Sequence, residues 1–238
     1  MRRRTVILLV LALGSLIGER PAGAAFGSPV LARGGVLLGV TTRQFKRDVY
    51  DVEAAAISNP GDTFGYVALE SRLGLFRDRL DFGLEAGRSH NKQERFPDRD
   101  YLTWELGVTL RGRLYTTPDG RADFTAGVHF RDTIAFDRAP TLTHKLQRNY
   151  AAFALGGRRA ALKGRPLRFY GGPLYSRHVI DEYGVSYQVG EGPAKGETRS
   201  NLEFLGGVSA RPWDGVEVAG EVEFRDSVSF GLSAGILF

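Results

Sequence analysis

Charged side chains recur at every second position in several segments of this 238-residue chain. The clearest row is Glu217, Glu221 and Glu223, which alternates with apolar residues between Val216 and Phe224. Side chains two residues apart share one face of a β-strand, so these carboxylates would lie along one surface. An enclosed acidic row either attracts small cations or pairs with arginines opposite it. The residues with this placement are Glu70, Arg72, Asp81, Glu85, Glu105, Arg111, Asp123, His129, Arg131, Arg168, Glu217, Glu221 and Glu223.

Four other residues could support acid–base chemistry. Asp98 and Asp100 lie before one apolar segment, and His178 and Asp181 lie after another. A histidine and a carboxylate on one side of a cleft can activate a water molecule that other carboxylates hold. These four residues form the enzymatic alternative for this chain. No nucleophile elbow, phosphate-binding loop or His-x-x-x-His pair accompanies them, and we expect neither a cofactor nor a metal.

The segments that would carry these residues alternate with a period of two, which is typical of β-strands. In the last segment Phe230 and Leu232 lie on one face, and Ser229 and Gly231 lie on the other. The other clear segments lie near residues 80–87, 102–111, 122–131 and 216–224, and weaker ones near 35–46, 63–76, 148–162, 166–178 and 200–211. The pattern predicts an all-β fold, an antiparallel up-and-down barrel of about ten strands. The weaker segments leave eight or twelve strands open.

The connections between the segments alternate in length. Short turns with Pro, Asp or Gly are expected at 77–79, 117–120, 163–165 and 212–215. Long polar connections are expected near 47–62, 89–99, 133–147 and 179–199. Short turns at one end and long loops at the other are typical of barrels that cross the bacterial outer membrane.

The first residues have the features of a secretory signal peptide. Arg2, Arg3 and Arg4 precede an apolar stretch of 12 residues that ends at Ile17, and small residues follow before Ala24. A membrane helix needs roughly 20 apolar residues, so this stretch is too short to be an anchor. We predict cleavage after Ala24, which makes residues 1–24 the signal peptide and residues 25–238 one barrel domain.

Composition excludes several function classes. Removal of residues 1–24 lowers the formal net charge from +5 to +2, and no run of like charges remains. A nucleic-acid partner is therefore not expected. The chain has no cysteine, which excludes disulfides, thiolate metal sites and lipoprotein acylation.

The C-terminal segment resembles the sorting signal of outer-membrane proteins. It ends in an aromatic residue that follows apolar residues at every second position. The residues in question are Phe230, Leu232, Ala234, Ile236 and Phe238. This resemblance implies recognition by the barrel-assembly machinery and a place in the outer membrane, among small porin-like and OmpA-type barrels.

A secreted lipocalin-type barrel would alternate in the same way but would bury its apolar face. The many Gly and Ser residues on the polar face favour the opposite arrangement, because a crowded lumen needs small residues beside long charged ones. Aromatic residues near segment ends, among them Tyr66, Tyr115 and Trp213, would then stand at the membrane interfaces.

Outer-membrane enzymes provide an alternative function. The ten-stranded omptin proteases resemble this chain in strand number and in acidic and histidine residues near the outer rim. Their pattern sets an Asp pair opposite Asp-x-His, whereas the segment from His178 to Asp181 is spaced differently. Lipid A deacylases and outer-membrane phospholipases are similar in architecture only. We therefore expect no enzyme.

A ten-stranded barrel is only slightly wider than the eight-stranded kind that its own side chains fill. We expect a lumen largely filled by paired charges, in a structural or adhesive protein, or in a narrow porin-like pathway for small ions. The expected surroundings are outer-membrane lipid and lipopolysaccharide, with the barrel-assembly machinery during biogenesis. The outer loops could bind an extracellular ligand, and we expect a monomer.

Overall fold

A computed structural model describes residues 26–51, 56–76, 79–92, 100–137, 143–162, 164–184, 195–198, 202–224 and 228–238. The predicted signal peptide lies outside these residues. The described strands are β1 (Val36–Asp51), β2 (Ala56–Leu75), β3 (Leu80–Lys92), β4 (Asp100–Thr116), β5 (Ala122–Asp137), β6 (Thr143–Leu162), β7 (Arg165–Gly184), β8 (Lys195–Thr198), β9 (Leu202–Trp213), β10 (Val216–Phe224) and β11 (Val228–Leu237). No helix long and apolar enough to cross a membrane occurs among the described residues.

Ten of these strands form one closed antiparallel wall. β1 to β7, β9, β10 and β11 each pair with the next, and β11 pairs back onto β1 from Leu37↔Leu237 to Gln44↔Phe230. Closure leaves no unpaired edge in the wall, which a barrel in a bilayer requires. The prediction of an up-and-down barrel of about ten strands is confirmed.

The short strand β8 was not predicted, and it changes the shape of one end. It pairs with β7 through Val179↔Glu197 and with β1 through Val49↔Thr198. The β10–β11 hairpin ends below this level, so β8 takes the place of β9, β10 and β11 there. The body of the wall has ten strands, and β8 bridges β7 and β1 at this rim.

One end of the barrel, the short-turn end, contains Phe76, Arg79, Gly164 and the residues 117–121 and 214–215. The opposite, long-loop end is less looped than predicted. β1 and β2 run through most of 47–62, and β7 continues to Gly184. The polar sequence was misleading because these strand ends lack the apolar alternation of the strand bodies.

Residues alternate between an apolar exterior and a polar interior. On β4, Trp104 and Leu106 are 55% and 68% exposed, whereas Glu105 between them is 5% exposed. On β11, Phe230 and Leu232 are more than half exposed. This is the inverse of a soluble barrel and matches the pattern of a transmembrane one.

The turn from Thr117 to Arg121 shows how the short-turn end is fixed. Gly120 has a positive φ of 67°, which glycine adopts without strain. The Thr117 hydroxyl donates to Asp119 Oδ1 at 2.6 Å, and the N–H of Arg121 donates to the same oxygen at 3.0 Å. Both bonds favour the ionised carboxylate, and they lower the pKa of Asp119 below its ordinary value.

A charged residue introduced on the exterior tests whether this face of the barrel wall contacts lipid. Leu106→Arg puts a guanidinium in the middle of the apolar exterior and should lower the free energy of unfolding in lipid vesicles by about 2–4 kcal/mol. Leu162→Arg, at the short-turn end of β6, should cost about 1 kcal/mol or less because it lies near the bilayer surface. Equal losses for the two variants in urea titrations would contradict an exterior that faces lipid.

Candidate functional site

The lumen of the barrel contains residues of the chain that precede β1. We call Phe26–Leu31 the lumen segment. Phe26, Ser28, Val30 and Leu31 are all less than 5% exposed, although they belong to no strand. The sequence did not predict this segment inside the barrel, because its residues have no periodicity.

A turn at the short-turn end directs the lumen segment back into the barrel. The N–H of Gly35 donates to the carbonyl of Ala32 at 2.9 Å, and the N–H of Gly34 donates to the carbonyl of Gly74 on β2 at 3.0 Å. Gly34 has a φ of 75°, which suits glycine. A Cβ on Gly74 would overlap the Ala32 carbonyl. Gly34 and Gly74 therefore permit the chain to reverse its direction between the lumen segment and β1.

Backbone N–H groups of the lumen segment donate to carboxylates of the wall. The N–H of Leu31 donates to Asp81 Oδ2 at 3.1 Å, and the N–H of Gly27 donates to Glu221 Oε1 at 2.8 Å. Asp81 begins β3 at the short-turn end, while Glu221 lies midway along β10. The segment thus rises from the short-turn end towards the middle of the barrel as it is followed from Leu31 back to Phe26.

Backbone carbonyls of the same segment accept from arginines of the wall. Arg72 donates to the carbonyl of Pro29 at 2.7 Å, and Arg113 donates to that of Val30 at 3.1 Å. Arg168 donates to the carbonyl of Gly27. Hydrogen bonds to charged groups contribute about 1.5–3 kcal/mol each when their partners are buried. The segment is therefore bound to the wall on several sides.

Asp81 is the central acceptor near the short-turn end. Its side chain is fully buried and forms ion pairs with Arg72 at 2.6 Å and with Arg111 at 2.9 Å. Arg72 also approaches Glu217 at 3.5 Å. Through these two arginines and the Leu31 N–H, the Asp81 carboxylate connects β2, β3, β4 and the lumen segment.

Asp123 forms a second buried centre on the other side of the segment. Arg168 donates through Nε to Asp123 Oδ2 at 3.1 Å, and its Nη2 also donates to this carboxylate. Arg159 lies 3.6 Å from the same group. Gly157 supplies the space, because a Cβ there would overlap the Arg168 guanidinium. The predicted role of small residues beside long charged ones is confirmed at this position.

A third cluster, the upper cluster, surrounds the end of the lumen segment at Phe26. Arg43 pairs with Glu223 and lies 4.0 Å from Glu221. His129 Nδ1 bonds to the Thr109 hydroxyl at 2.8 Å and lies 3.9 Å from Glu85. The further members are Glu105, Arg131 and Glu203.

Apolar side chains of β6, β7 and β9 lie on one side of Phe26, although Arg168 on β7 and Glu203 on β9 also point inward. Phe26 packs there in a cluster with Ala151, Phe153, Leu155, Tyr170, Leu174 and Leu205. The Phe26 and Phe153 ring centroids are 5.1 Å apart. Leu155 and Leu205 are completely buried. Phe26 thus anchors the segment by apolar contact on one side while arginines and carboxylates hold it on the other.

All thirteen charged or titratable residues that the sequence places in the lumen have side chains inside the barrel. Twelve are buried, and Glu70 keeps 10% of its side chain exposed. Sequence reasoning missed Arg43, Glu203 and Tyr170, because they lie on the weakly alternating strands β1, β9 and β7. Tyr66 was wrongly expected at a membrane interface. It is 2% exposed, and the Arg131 guanidinium lies 4.0 Å from its ring centroid inside the lumen.

The structure describes little of the alternative catalytic set. Asp98 lies outside the described residues, and for Asp100, His178 and Asp181 only the backbone is described. Asp100 lies on β4, whereas His178 and Asp181 lie on β7. The strands β5 and β6 separate the two positions in the wall.

Residues of the predicted assembly signal line the outer face of β11. Phe230 and Phe238 are 58% and 66% exposed, and Leu232 lies between them on the same side. Ala234 and Ile236 are half-buried. Recognition by the assembly machinery stays a prediction.

A cavity of about 290 Å³ remains between the lumen segment and the wall at the short-turn end. Its lining includes Pro29 and Val30 of the segment, together with Arg113, Arg168 and Arg211. Among the described residues no group of His, Asp or Glu side chains could hold a metal ion.

The apolar exterior, polar interior and closed wall define a barrel of the transmembrane type. No family model matches the chain, and no curated protein is similar to it in sequence. Among solved structures, the outer membrane protein OprG from Pseudomonas aeruginosa is 12% identical, with a TM-score of 0.42 over 87% of this chain and 97% of that one. An outer membrane channel from Pseudomonas putida F1 is 13% identical, with a TM-score of 0.40 over 90% and 99%.

Neutralising Asp81 tests whether this carboxylate holds the wall and the lumen segment together. Asp81→Asn leaves Arg72 and Arg111 buried beside a neutral amide and should lower the free energy of unfolding by about 3–5 kcal/mol. Asp119→Asn, at an exposed turn, is the matched control and should change it little. Similar stabilities for both variants in urea titrations would show that Asp81 does not have this role.

Proposed function

We propose that the protein spans the bacterial outer membrane as a monomeric barrel whose lumen is closed by its own N-terminal segment. It acts as a structural or adhesive protein that presents loops at the outer surface and conducts no solute in its resting state. The observation that carries this proposal is the set of bonds between the backbone of the lumen segment and charged side chains of the wall.

The exterior supports the placement in a membrane. Large apolar side chains lie exposed at every second position around the wall, including Leu69, Leu106 and Phe230. A soluble protein rarely exposes so much apolar surface to water. A tilted strand needs about 9–11 residues to cross the bilayer. β10 and β11 have 9 and 10 residues, and the longer β2, β6 and β7 would rise above the membrane at the long-loop end. Lipid and lipopolysaccharide would then contact the exterior.

The interior supports closure. A backbone segment in a lumen could leave readily if it contacted only water, but this one is bonded to Asp81, Arg72 and Glu221. Its removal would cost each of these side chains one of the bonds that offset its burial. The closed state is therefore the stable one.

A narrow pathway for small ions is the second candidate. The cavity beside Pro29 and Val30 favours it, because this cavity already occupies part of the lumen and has arginines in its lining. Glu217 already lines this cavity, and the row of Glu217, Glu221 and Glu223 would add negative charge to the pathway once the segment has moved. Conduction would then depend on displacement of the segment.

Planar-bilayer recordings on refolded protein test closure. We expect no conductance steps from the wild-type barrel and discrete steps from a variant that lacks residues 26–31. Gly27→Ala should open the barrel intermittently, because a Cβ at this position would overlap the Tyr170 ring. Ser28→Ala is the control in the same segment and should stay silent. Wild-type steps as frequent and as large as those of the deletion variant would refute closure and favour the pathway.

We also propose that the protein has no hydrolytic activity. The spacing from His178 to Asp181 supports this, since it differs from the Asp-x-His pattern in which a carboxylate and a histidine act together on one water. Folded protein in lipopolysaccharide-containing vesicles should cleave neither a broad peptide panel nor phospholipid. Turnover that is lost in both Asp98→Ala and His178→Ala would establish the enzymatic alternative.

A further inference from the structure

The cavity at the short-turn end is lined by guanidinium groups from three neighbouring strands. Arg159 on β6, Arg168 on β7 and Arg211 on β9 all belong to its lining, and the cavity has a volume of about 290 Å³. The side chains of Arg159 and Arg211 are 44% and 41% exposed, so solvent reaches the cavity. Typical ligand pockets measure about 300–1,000 Å³, and this one therefore has room for a small ligand.

Two of these arginines lie directly opposite each other. Arg159 and Arg168 are partners in the β6–β7 register, and like charges at such positions destabilise a sheet. Asp123 offsets the charge of Arg168, which donates through Nε to Asp123 Oδ2 at 3.1 Å. Arg159 Nε comes only within 3.6 Å of the same oxygen, which is too long for a hydrogen bond. An anion in the cavity would therefore stabilise this pair of arginines through Arg159.

Arg211 also has capacity for a further acceptor. It donates through Nε and Nη2 to a single oxygen of Glu217, at 3.3 Å in each case. A guanidinium group has five N–H donors, so these two bonds leave donors over. Glu217 is itself held a second time, because Arg72 approaches it at 3.5 Å. The carboxylate that lines the cavity is thus shared between two arginines and does not neutralise Arg211 alone.

We propose that this cavity, which we call the arginine cavity, binds a phosphate group that enters from the short-turn end, with Arg159 and Arg211 as its main donors. The planar guanidinium group matches two phosphate oxygens at once. Ser209 on β9 is 3% exposed, lines the cavity and supplies a hydroxyl donor. Pro29 and Val30 of the lumen segment form another part of the lining. The site is complete only while the segment is in place, so this proposal rests on closure of the lumen.

Isothermal titration calorimetry of the refolded barrel tests the binding. Inorganic phosphate and glycerol phosphate are titrated in uncharged alkyl glycoside micelles, where no lipid phosphate competes. At least one of them should bind saturably with one site per barrel, whereas chloride at equal ionic strength should not. The tighter of the two probes tells whether free phosphate or a phosphate ester is the better ligand. Absence of saturable binding by both probes would overturn the proposal.

Variants show whether the two arginines form the site. Arg159→Gln and Arg211→Gln should each weaken phosphate binding about tenfold, because each removes charge-assisted hydrogen bonds. Arg121→Gln is the control, since it removes the same charge from an exposed turn at the same end but outside the cavity lining, and it should leave the affinity unchanged. Equal affinities for all three variants would show that phosphate responds only to general surface charge, which would also overturn the proposal.

Both glutamine variants in the cavity should fold, because each carboxylate keeps a second partner. Arg168 still pairs with Asp123, and Arg72 still approaches Glu217. If a variant nevertheless fails to fold, the wild-type titration decides. A silent barrel that binds no phosphate would overturn this proposal alone, whereas closure itself is decided by the conductance of the wild-type barrel.

Discussion

A charge buried inside a closed barrel must be paired with other groups in the lumen, and this constraint organises the whole interior. Asp81 shows it most clearly, because one buried carboxylate receives Arg72, Arg111 and the N–H of Leu31. The wall alone would leave arginine N–H groups without acceptors. Backbone carbonyls of the lumen segment supply them, so the segment completes the wall's own network of ion pairs.

The lumen is also divided into two unlike halves, and the division explains how the segment is oriented. β6, β7 and β9 turn Phe153, Leu155, Leu174 and Leu205 inward, and Phe26 packs against them. The other half carries most of the charged groups, although Arg168 on β7 and Glu203 on β9 also point inward. A segment with an aromatic side chain on one side and polar backbone groups available on the other can satisfy both halves in only one orientation. Apolar contact and charge pairing therefore specify the same placement.

The sequence predicted the wall better than its contents. Period-two alternation in segments such as 102–111 is the direct signal of a strand with an apolar exterior and a polar interior, so the strand number and the inward charges could be inferred. β6 was difficult because both its faces are apolar where Phe153 and Leu155 meet Phe26. Arg43 and Glu203 were missed for a similar reason. The lumen segment had no signal at all, since its backbone, not its side chains, makes most of its polar contacts.

The covalent connection of the lumen segment to β1 determines how closure works. The turn at residues 32–35 is so short that the segment stays beside its binding groups even when individual bonds open. A short tether gives an effective concentration in the millimolar range, so moderate contacts suffice for nearly complete occupancy. A ten-stranded body has more interior space than an eight-stranded one, and the wall's side chains leave room for the lumen segment. Closure by a tethered segment thus fills the extra width without bulkier residues on the wall.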